Sequence, residues 1–413
     1  MTENPGSIEV EVVIVGGGLV GLSLGAALAG AGVETAVIDR DPPPVALDAA
    51  YDGRASAIAL GSRRILEGAG LWPLVAAEAC PILDIRVVDA GSPLFVHYDH
   101  RDVGDQPLGH IVENRALRRG LHALASGLPR LVHLAPRRMV SVDRGAHRVE
   151  VQLDDGRTVR GRLLVGADGR GSAVRESAGI GVRQWSYDQT GIVLTVAHER
   201  PHRNVAIENF LPAGPFATLP MTPAPDAPDR SSIVWTERTA LAPGLLALDP
   251  DRFQAELAGR FGDHWGAVRA VGPRFSYPLG VVWAERMVDD RLALVGDAAH
   301  VIHPIAGQGL NLGIRDAAAL AEAVVDARRL GLDVGGADAL RRYGRWRTLD
   351  TVLLTGVTDG LNRLFSNAIP PIRLARRLGL AAVERIAPLK RLYMRHAMGT
   401  VGDLPRLARG EPL

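Results

Sequence analysis

Residues Val10 to Gly21 read VEVVIVGGGLVG. Val10 to Val15 is a short β-branched run, the pattern of a buried strand. Glycines follow at once, and Leu19 to Ala31, rich in Ala and Leu, reads as a helix. Thr35 to Ile38 is a second short strand, ending at Asp39. Together these form a βαβ unit. Gly16, Gly18 and Gly21 make G-x-G-x-x-G directly after the first strand. Gly16 permits the tight turn, Gly18 lets the backbone approach a pyrophosphate, and Gly21 lets the helix pack close on the strand. The helix N-terminus at Leu19 offers unpaired N–H groups and a positive dipole end to a phosphate. Asp39, 23 residues after Gly16 and next to Arg40, can accept both hydroxyls of an adenosine ribose. The stretch therefore reads as a dinucleotide-binding unit, and it does not separate NAD from FAD.

Two further motifs decide for FAD. Leu163 to Arg175 reads LLVGADGRGSAVR, an apolar strand, then Asp168-Gly169, then a helix. Arg291 to Asp316 reads RLALVGDAAHVIHPIAGQGLNLGIRD. Here a strand leads to Gly296-Asp297, then to Pro304 and Gly307-Gln308-Gly309, and then to a helix opening on Leu310 and Asn311. Each Asp follows a strand at its carboxyl end, where open α/β sheets bind ligands. Asp297 is placed to accept a hydrogen bond from a polyol such as ribityl. The helix after Gly309 points its N-terminus into the same crevice, where N–H donors favour a developing anion such as reduced flavin. NAD has no part that needs this third loop.

The remainder reads as α/β with an inserted sheet. Arg40 to Gly53 is a Pro-rich loop; Ser62 to Ala69 and Arg115 to Ala125 are helices. Alternation between Leu131 and Val165 suggests antiparallel strands turning at Asp155-Gly156. Tyr187 to Trp235 is strand-like, broken by a loop from Pro220 to Pro228. Asp251 to Arg260 and Leu310 to Arg329 are helices, and the pattern beyond Ala337 is helical to about Met398. The expected architecture is a Rossmann-like FAD-binding domain, built from 1–78, 103–180 and 282–345. A mixed or antiparallel β-sheet substrate domain occupies 79–102 and 181–281, and a helical C-terminal region 346–413.

Composition narrows the function. The 413 residues carry 47 Lys+Arg against 46 Asp+Glu, so no basic field draws in nucleic acid. The lone Cys80 can form neither an internal disulfide nor a CxxC pair, which fits a reducing, cytoplasmic setting. No stretch approaches the ~20 apolar residues of a transmembrane helix. Met1 to Glu11 lacks the basic start of a signal peptide. His300 and His303 are spaced HxxH, but no third ligand stands at a metal spacing. Packing beside the flavin loop is the expected role for His303, and no metal site is expected. No G-x-S-x-G or P-loop occurs. Trp185, Tyr187 and Tyr277 are core aromatics by default, with an aromatic-substrate pocket as the other reading.

The three motifs, in this order and spacing, resemble the class A FAD-dependent aromatic monooxygenases of the para-hydroxybenzoate hydroxylase fold group, over most of the chain. The closest resemblance is to the ubiquinone-biosynthesis hydroxylases (UbiH, UbiF and VisC-like proteins). It is carried by DGRASAIALGSRRILEGAGL from Asp52, SYPLG from Ser276 and HPIAGQGLNLGIRD from His303. The tail segments TDGLNRLFSN from Thr358, PPIRLARRLGL, and PLKRLYMRHAMG ending at Gly399 add to it. Asp39 stands where many relatives carry Glu, and either carboxylate reaches a ribose.

The resemblance implies FAD held by Gly16, Gly18, Leu19, Gly21, Asp39, Arg40, Asp168, Gly296, Asp297 and the loop Pro304, Gly307, Gln308, Gly309, Leu310, Asn311. It sets Arg54 near the flavin or pyrophosphate and Arg115 near the phosphates, with Asn114 competing for that contact. It implies hydroxylation of a polyprenylated phenol in ubiquinone synthesis through a flavin hydroperoxide. O2 is the co-substrate, and electrons come from NAD(P)H or a reduced electron-transfer protein. No residue is named as catalytic acid or base.

Pro371 to Leu413 carries nine Arg/Lys against three Asp/Glu, with apolar Leu374, Leu378 and Val383 at helical spacing. That surface is either a solvated helix or an edge that meets the inner face of the membrane or other ubiquinone-biosynthesis proteins. The rival functions are a same-fold FAD oxidoreductase acting on another aromatic or isoprenoid substrate, and a flavin-holding scaffold. A halogenase is disfavoured because WxWxIP is absent.

Overall fold

The computed structural model describes residues 6–43, 47, 53–89, 95–365, 379 and 382–413. Leu374 and Leu378, on which part of the amphipathic reading rests, lie outside the described residues.

A six-stranded sheet forms the base, in the order Val288–Asp289, Leu292–Leu294, Leu163–Gly166, Val12–Val15, Thr35–Ile38, Leu131–Leu134. All neighbours run parallel except the edge strand Val288–Asp289. Val12, Val13 and Ile14 are wholly buried, as expected for parallel strands covered on both faces. The helices Leu19–Gly30 and Gln308–Arg329 pack against each other over this sheet. Helix Leu19–Gly30 is apolar all round, so it has no solvent face to lose by burial.

Register fixes where the three motifs emerge. Val15 pairs with Gly166 and Ile38, and Gly166 with Leu294. The loops after these strands therefore leave adjacent positions at one carboxyl edge of the sheet.

The expectation of antiparallel strands from Leu131 to Val165 is corrected in part. Met139–Arg144, Val149–Leu153 and Thr158–Gly161 are antiparallel neighbours in a separate four-stranded sheet, which Ser7–Glu9 joins in parallel. Leu131–Leu134 and Leu163–Gly166 instead join the parallel sheet. Short apolar runs carry no signal for strand direction; the partner decides it.

The largest sheet has eight strands, ordered His300–Val301, Val268–Ala284, Val182–His198, Arg230–Arg238, Gly214–Pro220, Val205–Leu211, Asp84–Asp89, Phe95–Asp99. One face is sealed by the helix Pro250–Phe261, whose Phe253 and Leu257 pack with Ile192, Phe216, Ile233 and Trp235. The opposite face meets the flavin-side loops. Phe275 lies so close to Gly53 that a Cβ there would sit 1.9 Å from its ring. Phe210 packs with Ile305 and Phe365.

Candidate active site

The Gly16 backbone takes φ +109°, which L side chains rarely adopt, and a Cβ there would stand 2.3 Å from the Ala167 carbonyl oxygen. A Cβ on Gly21 would stand 1.9 Å from the Gly16 carbonyl oxygen, so the helix sits hard against the turn. Nothing lies within 4 Å of the Cβ position of Gly18. Gly18 is also the N-cap and provides no side-chain cap, leaving the first-turn N–H groups at Leu19 and beyond open to an anion. Asp39 lies across this loop, where a Cβ on Gly17 would come 2.5 Å from its Oδ2. Its Oδ1 accepts from the Asp41 N–H at 3.2 Å, and burial holds its carboxyl above the ordinary range. Arg40 is exposed and lies 3.8 Å from Asp41.

Asp168 is turned back on its own loop. It accepts from the Ser172 hydroxyl and, at 3.2 Å, from the Val174 N–H at the start of the helix Ala173–Ser177. Its carboxylate thus shapes the turn that follows the second strand. Arg175, to which the sequence reading gave no role, is buried and clamps two motif loops together. It donates to the Ala298 carbonyl at 2.9 Å and to the Arg170 carbonyl at 2.9 Å.

Asp297 follows Gly296, which has φ +59°. Asp297 is solvent-accessible, while its neighbours His300, Gly296 and Ala298 are buried. Desolvation raises its carboxyl above the usual range, opposed by the charges of His300, Arg54 and Arg170. Arg54 is exposed, with its guanidinium 4.9 Å from the centre of the Tyr277 ring. Asn114 is buried; its N–H donates to the Arg54 carbonyl, and its side chain accepts from Ser56 at 2.6 Å. Arg115 stands exposed in the first turn of the helix Asn114–Gly127, without an ion pair among the described residues.

In the third loop, Pro304 leads into a short turn, Ile305–Gly307. Gly307 takes φ +61° and caps the helix, which begins at Gln308, two residues earlier than the sequence suggests. Gly309 has open space at its Cβ position, and Leu310 is half-buried. The Asn311 side chain is fully used: it accepts from Ala59 N–H at 2.9 Å and donates to the carbonyls of Ala57 and Gly307 at 2.8 and 3.0 Å. It fastens the loop to the strand Ala55–Ala59. Gln308 donates to the Ala397 carbonyl at 3.3 Å.

Behind Asp297 lies a buried ionic network without a local sequence signal. His300 Nε2 meets Asp316 at 2.6 Å, Gly296 N–H donates to the same oxygen at 3.0 Å, and Arg347 Nε donates to the other at 2.7 Å. Arg347 continues to Asp350 at 2.7 Å, which also holds Arg315. His303 accepts the Ile305 N–H at 3.2 Å and stands edge-on to Tyr187, so it shapes the loop. Among the described residues no group of three His, Cys, Asp or Glu is placed to hold a metal. Tyr187 and Trp185 are not core aromatics; both donate to Asp359, at 2.7 and 3.4 Å.

The uncapped helix start at Gly18 and Asp297 after Gly296 lie at one carboxyl edge of the six-stranded sheet, and a Cβ on Gly313 would stand 3.1 Å from the Gly296 Cα, so the helix that begins at Gln308 starts beside them. Residues 9–337 match the family model "FAD binding domain". The chain is 58% identical to the ubiquinone hydroxylase UbiL of Rhodospirillum rubrum, covering 98% of this chain and 93% of that one. It is 35% identical to the 3-demethoxyubiquinol 3-hydroxylase of Escherichia coli, over 97% of this chain and 100% of that one. Among solved structures, PqsL of Pseudomonas aeruginosa, a probable FAD-dependent monooxygenase, superposes with TM-score 0.75 at 25% identity, covering 91% and 99% of the two chains. The chain belongs to the FAD-binding monooxygenase family and, within it, to the ubiquinone-biosynthesis hydroxylases. It is an FAD-dependent hydroxylase. Among the described residues no helix is long and apolar enough to cross a membrane.

Proposed function

We propose that this enzyme hydroxylates the ring of a polyprenylated phenol on the path to ubiquinone, with O2 as co-substrate and NAD(P)H or a reduced electron-transfer protein as electron source. The observation that supports this reading is that the three motif-bearing strands end at one carboxyl edge of the parallel sheet, with Ile305 of the Pro304–Asn311 loop packed on Phe210 of the eight-stranded sheet. In this reading the 1–78, 103–180 and 282–345 segments hold the cofactor, 79–102 and 181–281 hold the substrate, and 346–413 covers the C-terminal side.

The residues divide the work. The N–H groups after Gly18, with Arg54 or Arg115, neutralise the pyrophosphate. Asp39 accepts from the adenosine ribose, beside Arg40. Asp297 accepts from the ribityl chain, and the helix start at Gln308 and Gly309 presents N–H donors to the ring. FAD, when bound, supplies the activation of O2 that no side chain provides. The protein's task is to orient the phenol at the ring edge and keep water out. Arg391 and Arg395 on the helix Ala387–Ala397 belong to a basic edge suited to a membrane surface from which a prenylated substrate arrives.

The test is quinone profiling by mass spectrometry in a strain lacking the gene. Accumulation of one under-hydroxylated prenylphenol, with loss of ubiquinone, is the expected result, and the missing oxygen identifies the ring position. Normal ubiquinone with no accumulated intermediate sinks the reading.

A further inference from the structure

The strand Val205–Leu211 alternates cleanly between the two sides of the large sheet. Ile207 and Asn209 face the Pro250–Phe261 side, with Phe216, Thr218 and Trp265. Ala206 and Phe210 face the flavin side: Ala206 packs with Leu60 and Ile111, and Phe210 with Ile305 of the flavin loop. Glu208 lies between them and so shares their side. Its register partners there are Val87 and Ala217. Val87 packs against the Phe210–Ile305 group, while Ala217 has no atom beyond Cβ to fill the space above the sheet.

Glu208 therefore stands on an apolar wall that faces the Pro304–Gly307 loop. It is half-buried, and among the described residues it has no hydrogen bond or ion pair. A carboxylate placed in such surroundings without a partner costs stability, and a fold retains that cost most readily where the group has work to do. Other titratable or charged groups on this side are Asp89 beside Phe210, Tyr98 opposite Ile85, His303 two residues before Ile305 with Tyr187 and Asp359 next to it, and Arg54 with Tyr277 further across the sheet. No charge among the described residues acts on Glu208, and burial alone pushes its carboxyl up to about 7. A base is most effective with its pKa near the working pH.

We infer that Glu208 is the general base that takes the phenol proton of the substrate. The inference rests on the phenol-hydroxylase reading above. The phenol O–H bond breaks, its proton joins a Glu208 oxygen, and the released electron pair enters the ring and raises its nucleophilicity at the ortho and para carbons. O2 and the two-electron donor complete the balance: one oxygen atom enters the ring and the other leaves as water. The carboxyl proton then returns to the phenolate oxygen as the displaced ring proton departs.

The test uses FAD-loaded enzyme with two probes, 4-nitrophenol for binding and a short-chain 2-prenylphenol for turnover. Glu208→Gln keeps the shape and removes the base; its flavin absorbance reports intact folding. In the wild type, 4-nitrophenol affinity falls above neutral pH, because ionised Glu208 and ionised phenol repel each other. In Glu208→Gln that fall disappears. Turnover by the variant is expected to drop by roughly 10²–10⁴-fold near neutral pH, with KM little changed. It should then recover as rising pH ionises the phenol in solution. Identical pH profiles for the two proteins, in binding and in turnover, overturn the assignment of Glu208 and leave the phenol reading standing. A wild type that neither binds nor hydroxylates either phenol defeats the reading itself.

Discussion

His300 Nε2 and Asp316 Oδ2 lie 2.6 Å apart, with both side chains buried. Asp316 also receives the Gly296 N–H and the Arg347 guanidinium, so one carboxylate ties the loop of Asp297 to two helices. Burial alone would raise the Asp316 carboxyl, but the charges and hydrogen bonds of His300 and Arg347 hold it down to about 2. Asp316→Asn leaves Arg347 without its buried partner there and is expected to cost about 3–5 kcal/mol, read as a lower urea midpoint. Because the folded pKa is depressed, this stabilisation is present above the unfolded carboxylate value and fades as pH falls toward 2. A midpoint unchanged by the substitution at pH 7 would mean that the network contributes nothing.

His110 sits edge-on to Trp72, ring centres 5.0 Å apart, and its buried Nδ1 has no hydrogen-bond partner. Burial, with Arg63 nearby, pushes its pKa down to about 4. The unfolded chain therefore binds this proton first, and stability falls as pH drops from the ordinary histidine range toward 4. His110→Phe keeps a ring against Trp72 and removes the titration. Urea unfolding at several pH values between 4 and 7 should show a shallower acid decline than wild type, with neutral-pH stability equal or higher.

Asp297→Ala removes the acceptor assigned to the ribityl chain. The variant is expected to fold, since this side chain is exposed, but to retain FAD at least about tenfold less tightly, the order of one lost charge-assisted hydrogen bond. Flavin absorbance after gel filtration measures it. Full occupancy at low FAD counts against the placement.

Lys390 is the sole lysine of the chain. Its Nζ lies 3.0 Å from Asp102 and donates to the His97 carbonyl at 3.0 Å, docking the helix Ala387–Ala397 on the edge of the large sheet. Its side chain is 14% exposed. Acetylation by an N-hydroxysuccinimide ester, followed by peptide mass mapping, should therefore be roughly tenfold slower at Lys390 in the native protein than in urea. Equal rates would show that the helix does not stay docked.

Much of the fold was legible because it is local. The turn at Gly16 needs a residue that accepts positive φ, and the strands beside it need apolar side chains on both faces. Both demands are written in consecutive residues. The same holds for Gly296-Asp297 and for the loop ending at Gly307. Strand direction was not legible for Leu131–Leu134 and Leu163–Gly166, because either direction buries the same side chains. Asn311 and Asp168 were legible as motif residues, but not as residues whose side chains fasten the loops.

The sequence by itself determined the βαβ start, the G-x-G-x-x-G turn, the Asp168-Gly169 and Gly296-Asp297 loops and, through their order and spacing, an FAD-binding chain. These follow from short-range geometry and from the period of burial. Only the tertiary structure decided that Asp316 and Arg347 support the Asp297 loop, that Asp359 holds Trp185 and Tyr187, and that Glu208 stands on the flavin side of the sheet. Those relationships join residues far apart in the chain. Register sets them, and a one-residue slip would turn Glu208 to the other face.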